Sequence, residues 1–116
     1  MTQAQARYVR DRIEADGYEP FLVGDEQAGE VRWLRTEGSA GNALAAALWR
    51  SEPATYEYVF PGDETFHVVR GAVTIELTDG GERLELNAGD VASFDAGTRS
   101  VWHVTESFLK FTVVAG

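Results

Sequence analysis

Few side chains in this sequence could do chemistry, and most lie in its second half. Glu57 and Glu64, if both face inward and lie close, would repel one another and raise the pKa of one, making a general acid–base pair. The plainer alternatives are a solvated strand residue for Glu57 and, for Glu64, a carboxylate satisfied by backbone or tyrosine hydroxyls. Glu64 is the best catalytic candidate. Trp49 and Trp102 could stack on a planar or sugar-like ligand, although core packing explains a tryptophan as well. Tyr58 stands just before Glu64 and could share its face. Lys110 could hold an anionic group, but its facing depends on which alternate set of residues 107–113 is inside. If Leu109, Phe111 and Val113 fill the core, Lys110 is a surface charge; if Phe108, Lys110 and Thr112 do, it enters the site. The apolar alternation favours the surface or inter-sheet position.

Other chemistries are absent. The chain has no cysteine, which excludes disulfides, thiolate zinc sites and a cysteine nucleophile. Residues 37–41 only faintly resemble a nucleophile elbow, since the first glycine is replaced by Glu37. No Walker lysine follows a Gly-rich loop and no dinucleotide fingerprint is present, so no phosphate cradle is recognisable.

These residues must be positioned by a single domain, for 116 residues leave little chain for a second. Hydrophobic residues at 44% and charged residues at 25% are ordinary globular composition. A formal charge of −9 repels phosphate backbones and anionic lipid, which argues against nucleic-acid and membrane-surface partners. The longest apolar run, residues 43–49, is far short of a membrane span, and the N-terminus has no secretory apolar stretch. The expectation is a soluble cytoplasmic protein.

Along the chain, Ala6, Tyr8 or Val9, and Ile13 fall at helical spacing and Asp16-Gly17 closes the pattern, which predicts a short helix or arm over residues 2–16. Residues 21–23 and 31–34 read as strands between glycines. From residue 54 onward, short apolar pieces alternate with Pro61-Gly62-Asp63, Asp79-Gly80-Gly81, Asn87-Ala88-Gly89-Asp90 and Asp95-Ala96-Gly97. That texture predicts an antiparallel sandwich or barrel, with Asp79-Gly80 as its clearest hairpin turn. Residues 42–49 have strong helix propensity and an Asn that could cap them, against the surrounding β pattern.

Two spaced patterns resemble the paired motifs of cupins. Glu64, six residues and Gly71 reproduce the second half of the first motif. Gly89, five residues, then Asp95-Ala96-Gly97 reproduce the spacing of the second, with Asp95 where proline is usual. Trp49, Pro53, Gly89-Asp90, Trp102 and Lys110 further resemble, in order, landmarks of the ureidoglycine aminohydrolase and ethanolamine-utilisation cupins. The resemblance covers about residues 41–115. It implies an all-β, double-stranded β-helix, the cupin jelly-roll barrel, over residues 41–116. Residues 1–40, about which the resemblance says nothing, are expected to form an N-terminal helix or arm and strands covering the barrel, and residues 42–49 become a strand. It also implies a homodimer formed by sheet extension.

The resemblance implies, too, a metal held by two histidines, a glutamate and a further histidine. Counted back from Glu64, the two histidine positions hold Glu57 and Val59; counted on from Gly97, the third is Ser100. Two carboxylates and a serine make at best a loose hard-cation site. The expectation is therefore no tightly bound transition metal and no other cofactor, with a weakly bound divalent cation at Glu57 and Glu64 as the most these residues would hold. His67 and His103, the only imidazoles, face outward if Glu64 and Ser100 face inward, unless a bulge intervenes. The reading that follows is a cupin without the usual histidine ligands, binding a small polar organic molecule in the barrel mouth through Trp49, Glu57, Tyr58, Glu64, Ser100, Trp102 and Lys110. One alternative is an enzyme like the aminohydrolase or sugar-isomerase cupins, using Glu57 and Glu64 as acid–base groups or metal ligands. Another is a non-catalytic sensor or oligomerisation module.

Overall fold

The computed structural model describes residues 8–116. It contains eight strands: β1 (Glu19–Val23), β2 (Glu26–Arg35), β3 (Leu44–Ser51), β4 (Ala54–Val59), β5 (Asp63–Leu77), β6 (Arg83–Asn87), β7 (Val91–Phe94) and β8 (Arg99–Ala115). All pairings are antiparallel and run β1-β2-β3-β8-β5-β6, with β4 on β8 and β7 on β5. Among the described residues no helix is long and apolar enough to cross a membrane.

β5 and β8 are long because they serve two layers. The first halves of β5 and the last of β8 pair with each other and with β7 and β3; the other halves pair with each other and with β6 and β4. The sequence suggested separate strands over these stretches, but residues 105–107 contain neither glycine nor proline to break the strand and Gly71 acts as a bend. The β5–β8 register shifts between Val68 and Val73, and Gly71 adopts φ +84° at that corner, a conformation open to glycine. The folded-over sheet encloses Trp49, Phe60, Phe66, Ile75, Trp102 and Phe108, all buried.

Residues 44–51 show tertiary pairing overriding helix propensity. β8 pairs with this strand along its whole length and β2 with residues 46–50 on the other side, and alternation buries Ala47 and Trp49 inward.

The helix expected over residues 2–16 is not formed where the structure describes it; residues 1–7 lie outside the described residues. Residues 13–14 make only a turn. The rest of this segment is laid over the outer face of the sheet by long-range polar contacts. Asp11 pairs with Arg32, Glu14 with Arg70, and Tyr18 stacks under the Arg50 guanidinium at 3.8 Å. A weak apolar stripe cannot nucleate a helix against three such tethers.

Candidate functional site

The site grows from the alternation of β5. Glu64, Phe66 and Val68 point into the barrel while Thr65 and His67 are exposed. Glu64 retains only 1% exposure, and a carboxylate so buried must be compensated. Three side chains do this. Tyr58 donates its hydroxyl to Oε1 at 2.7 Å; Lys110 Nζ and the Thr112 hydroxyl donate to Oε2 at 2.8 and 2.7 Å.

Lys110 is therefore inside, contrary to the surface position that alternation favoured. Both faces of β8 are covered here: Leu109 has no exposure and Phe108 only 1%. Leu109 pairs with Arg50 on β3 and Arg70 on β5, and these two arginines are held by Tyr18 and Glu14 of the N-terminal segment. Leu109 is thus buried on the outer face between two strands whose arginines meet the N-terminal segment, while Phe111 on that face is 38% exposed, and the even set, Phe108, Lys110 and Thr112, faces the barrel.

Burial pushes the Glu64 carboxyl up, but the Lys110 charge and the hydrogen bonds from Lys110, Thr112 and Tyr58 outweigh it and hold the group below its ordinary range. Burial likewise pulls the Lys110 ammonium down, against the opposing charge and hydrogen bond of Glu64. The Tyr58 hydroxyl is pushed well up, first by burial and then by the Glu64 charge and its hydrogen bond to it. It stays a donor. Around the ammonium, the rings of Trp102, Phe66 and Trp49 lie 4.5, 4.6 and 5.3 Å from Nζ, within cation–π range.

Above this floor is a cavity of about 180 Å³. Trp49, Tyr56, Tyr58 and Trp102 wall it. Its outer part is lined by Phe21 and Val23 of β1, Trp33 of β2 and Pro61. The β1–β2 residues at this mouth were read from the sequence only as strands, and Thr112 only as a member of the even set of β8; Trp33 is 40% exposed at the mouth. Trp49 Nε1 donates to the Ala28 carbonyl, and Trp102 Nε1 donates to Ser100 Oγ, which donates to the Tyr58 carbonyl. Ser100 thus orients Trp102 rather than lining the cavity.

Glu57 does not join Glu64. It is exposed at the cavity rim, so the expected acid–base or metal-ligand pair is not assembled. Three residues, Pro61-Gly62-Asp63, separate Phe60 from Glu64, and this spacing puts Tyr58 and Phe60, not Glu57 and Val59, on the inward face. Val59 is 56% exposed and Phe60 1%. The side chains at the positions where cupins place their metal ligands are then Tyr58, Phe60, Glu64 and Ser100. A phenol, a phenyl ring, a serine donating elsewhere and a carboxylate with three hydrogen bonds do not suit a divalent cation. Among the described residues, no group of three or more His, Asp or Glu side chains could hold a metal. His67 is exposed and His103 half-buried, its Nε2 3.5 Å from Glu76 Oε1.

The low carboxyl pKa has a testable sign. Because Glu64 ionises below the ordinary 4.5 when folded, the unfolded chain takes up the proton first as pH falls. Its stabilising contribution is complete above about pH 5 and is lost as pH falls through the folded value. The urea midpoint should hold from neutral pH to about 5 and decline below it. Glu64→Gln should decline less steeply. Asp11 and Asp79, held low first by hydrogen bonds from Arg32 and Arg99, decline alike in both proteins, so equal slopes would disprove the role of Glu64.

A folded-over antiparallel barrel with a carboxylate and aromatic rings inside its mouth is the architecture of a cupin. The chain belongs to the EutQ-like cupin domain family, whose model matches residues 38–111. It is 30% identical over 79 residues to a pyrimidine/purine nucleoside phosphorylase of Pseudoalteromonas atlantica, a stretch that covers 68% of this chain and 82% of that protein. Among solved structures, ethanolamine utilization protein Q from Salmonella typhimurium LT2 superposes with a TM-score of 0.65 at 23% identity, over 74% of this chain and 68% of that one. A DUF861 family protein from Thermotoga maritima is 26% identical with a TM-score of 0.54, over 56% of this chain and 73% of that one.

Proposed function

We propose that this protein binds a small, flat, polar organic molecule in the mouth of its barrel. The observation that carries this reading is the cavity itself, about 180 Å³ with aromatic walls and one hydrogen-bonded ion pair at its floor. Aromatic faces take a planar body, and a few convergent polar groups fix its orientation. After compensating Glu64, the floor keeps hydrogen-bonding capacity: the ammonium has N–H bonds beyond the one it gives Glu64, and the Tyr58 and Thr112 oxygens can each still accept.

A second reading, catalysis, is favoured by the nucleoside phosphorylase similar to this chain. Phosphorolysis of a nucleoside would require a base seat, for which the aromatic walls are suited, and a phosphate seat. Lys110 is the cation closest to hand, and it is already paired with Glu64.

One experiment addresses both readings. The protein is titrated with uridine, adenosine, a ureide and a keto sugar while tryptophan fluorescence is followed, and then incubated with each nucleoside and inorganic phosphate. A saturable fluorescence change with at least one compound is expected, since Trp49 and Trp102 line the cavity. Release of free base only when phosphate is present would establish the second reading. If no compound changes either the fluorescence or the melting temperature, the binding proposal fails.

A further inference from the structure

Lys110 is the chain's only lysine, every other basic residue among its Lys and Arg being arginine. Among the described residues, the five arginines in salt bridges have side chains that are 32–60% exposed, whereas that of Lys110 is 6% exposed. Its ammonium sits 2.8 Å from the one carboxylate left at the cupin ligand positions. Three aromatic faces surround it at 4.5 to 5.3 Å. A compact ammonium on a flexible stem can reach such a point, which a broad planar guanidinium could not fill.

We propose that the Lys110 ammonium is the resident cation of this barrel. Tethered through its own side chain, it takes the place beside Glu64 that a divalent ion would need, and it offers its unspent N–H bonds to a carbonyl or anionic oxygen of the bound molecule. The charge balance favours this arrangement. Glu64 carries one negative charge and Lys110 cancels it, so a divalent ion entering the same site would meet a like charge within a few ångströms and no free carboxylate. The cavity is thereby committed to ligands with an oxygen acceptor at one end. The ligand half of the proposal rests on the binding reading above; the cation half does not.

The test uses the full chain. Replacing Lys110 by alanine removes the atoms of n-propylammonium, so that ion is the probe for the vacated place. Wild-type melting temperature should be unmoved by millimolar Mn²⁺ or Ni²⁺. Lys110→Ala should melt lower and recover by about 5 °C with n-propylammonium, but not with n-propanol. The recovery should vanish in Glu64→Gln/Lys110→Ala, which lacks the anion. Stabilisation of the wild type by either metal, equal rescue by propanol, or rescue that persists without Glu64 would overturn the cation half. If Lys110→Ala is recovered only unfolded, the readout becomes its folded yield on dialysis from urea, and equal yields with propylammonium and propanol overturn it too. For the ligand half, uridine is titrated into the wild type and into Glu64→Gln/Lys110→Met, which removes both charges together. A loss of affinity of about tenfold or more is expected, and unchanged affinity overturns that half. Failure of uridine to bind the wild type overturns it as well and leaves the cation half to the melting data.

Discussion

Lys110→Met should destabilise the protein by about 3–5 kcal/mol, the usual consequence of stripping one partner from a buried ion pair. Methionine keeps most of the length and apolar volume of the lysine stem, so its packing against Trp49, Phe66 and Trp102 survives. What is lost is the charge opposite Glu64. Tyr58 and Thr112 still donate to the carboxylate, but two neutral hydrogen bonds cannot replace a cation at 2.8 Å in a site with 1% exposure. The carboxyl would then take up a proton at a higher pH, which limits the loss near neutrality. Combining the change with Glu64→Gln removes the orphaned charge and should recover most of the stability, because a buried ion pair replaced as a unit is often close to neutral. Urea unfolding of the wild type, both single variants and the double variant measures the coupling. If the two single losses simply add, the pair is not a unit and this account of the site fails.

The second large effect is expected at Gly71, where β5 turns from one layer into the other. Its φ is +84°, and a Cβ there would overlap the Ser107 carbonyl oxygen and lie 2.9 Å from Phe108 Cα. Gly97 has the same φ of +84°, yet a Cβ would meet nothing within 4 Å. The two glycines therefore separate backbone strain from steric overlap. Gly97→Ala should cost about 1–3 kcal/mol from the left-handed conformation alone. Gly71→Ala carries that cost and roughly another 1–3 kcal/mol from pushing β8 away from the corner. Urea midpoints of the two variants at neutral pH provide the comparison. Equal losses would mean that the close approach of β5 to β8 has no energetic weight.

The close approach at Gly71 also shows how a motif glycine could be noticed without its reason being visible. Its spacing from Glu64 marked it in the sequence, but the Ser107 carbonyl that requires it lies on another strand. Glu64 with Phe66 and Val68 on one face, and His67 on the other, followed directly from alternation within a single strand. The hairpin at Asp79-Gly80, which sets Glu76 opposite Arg83, was equally local, carried by its Asp-Gly turn.

The choice between Glu57 and Tyr58 was harder, because it depended on how the loop at Pro61-Gly62-Asp63 carries alternation from β4 into β5. Lys110 was harder still. In β8 both alternate sets are apolar enough to be inside, and Leu109 is buried on the outer face beside Arg50 and Arg70, which meet the N-terminal segment. Side chains two apart share a face because of local backbone geometry, so the order of residues alone sufficed for the antiparallel β architecture and for which residues travel together, Glu64 with Phe66 and Val68 among them. Which face became the interior was decided only by tertiary structure, because that depends on which distant strands and segments come to cover each side.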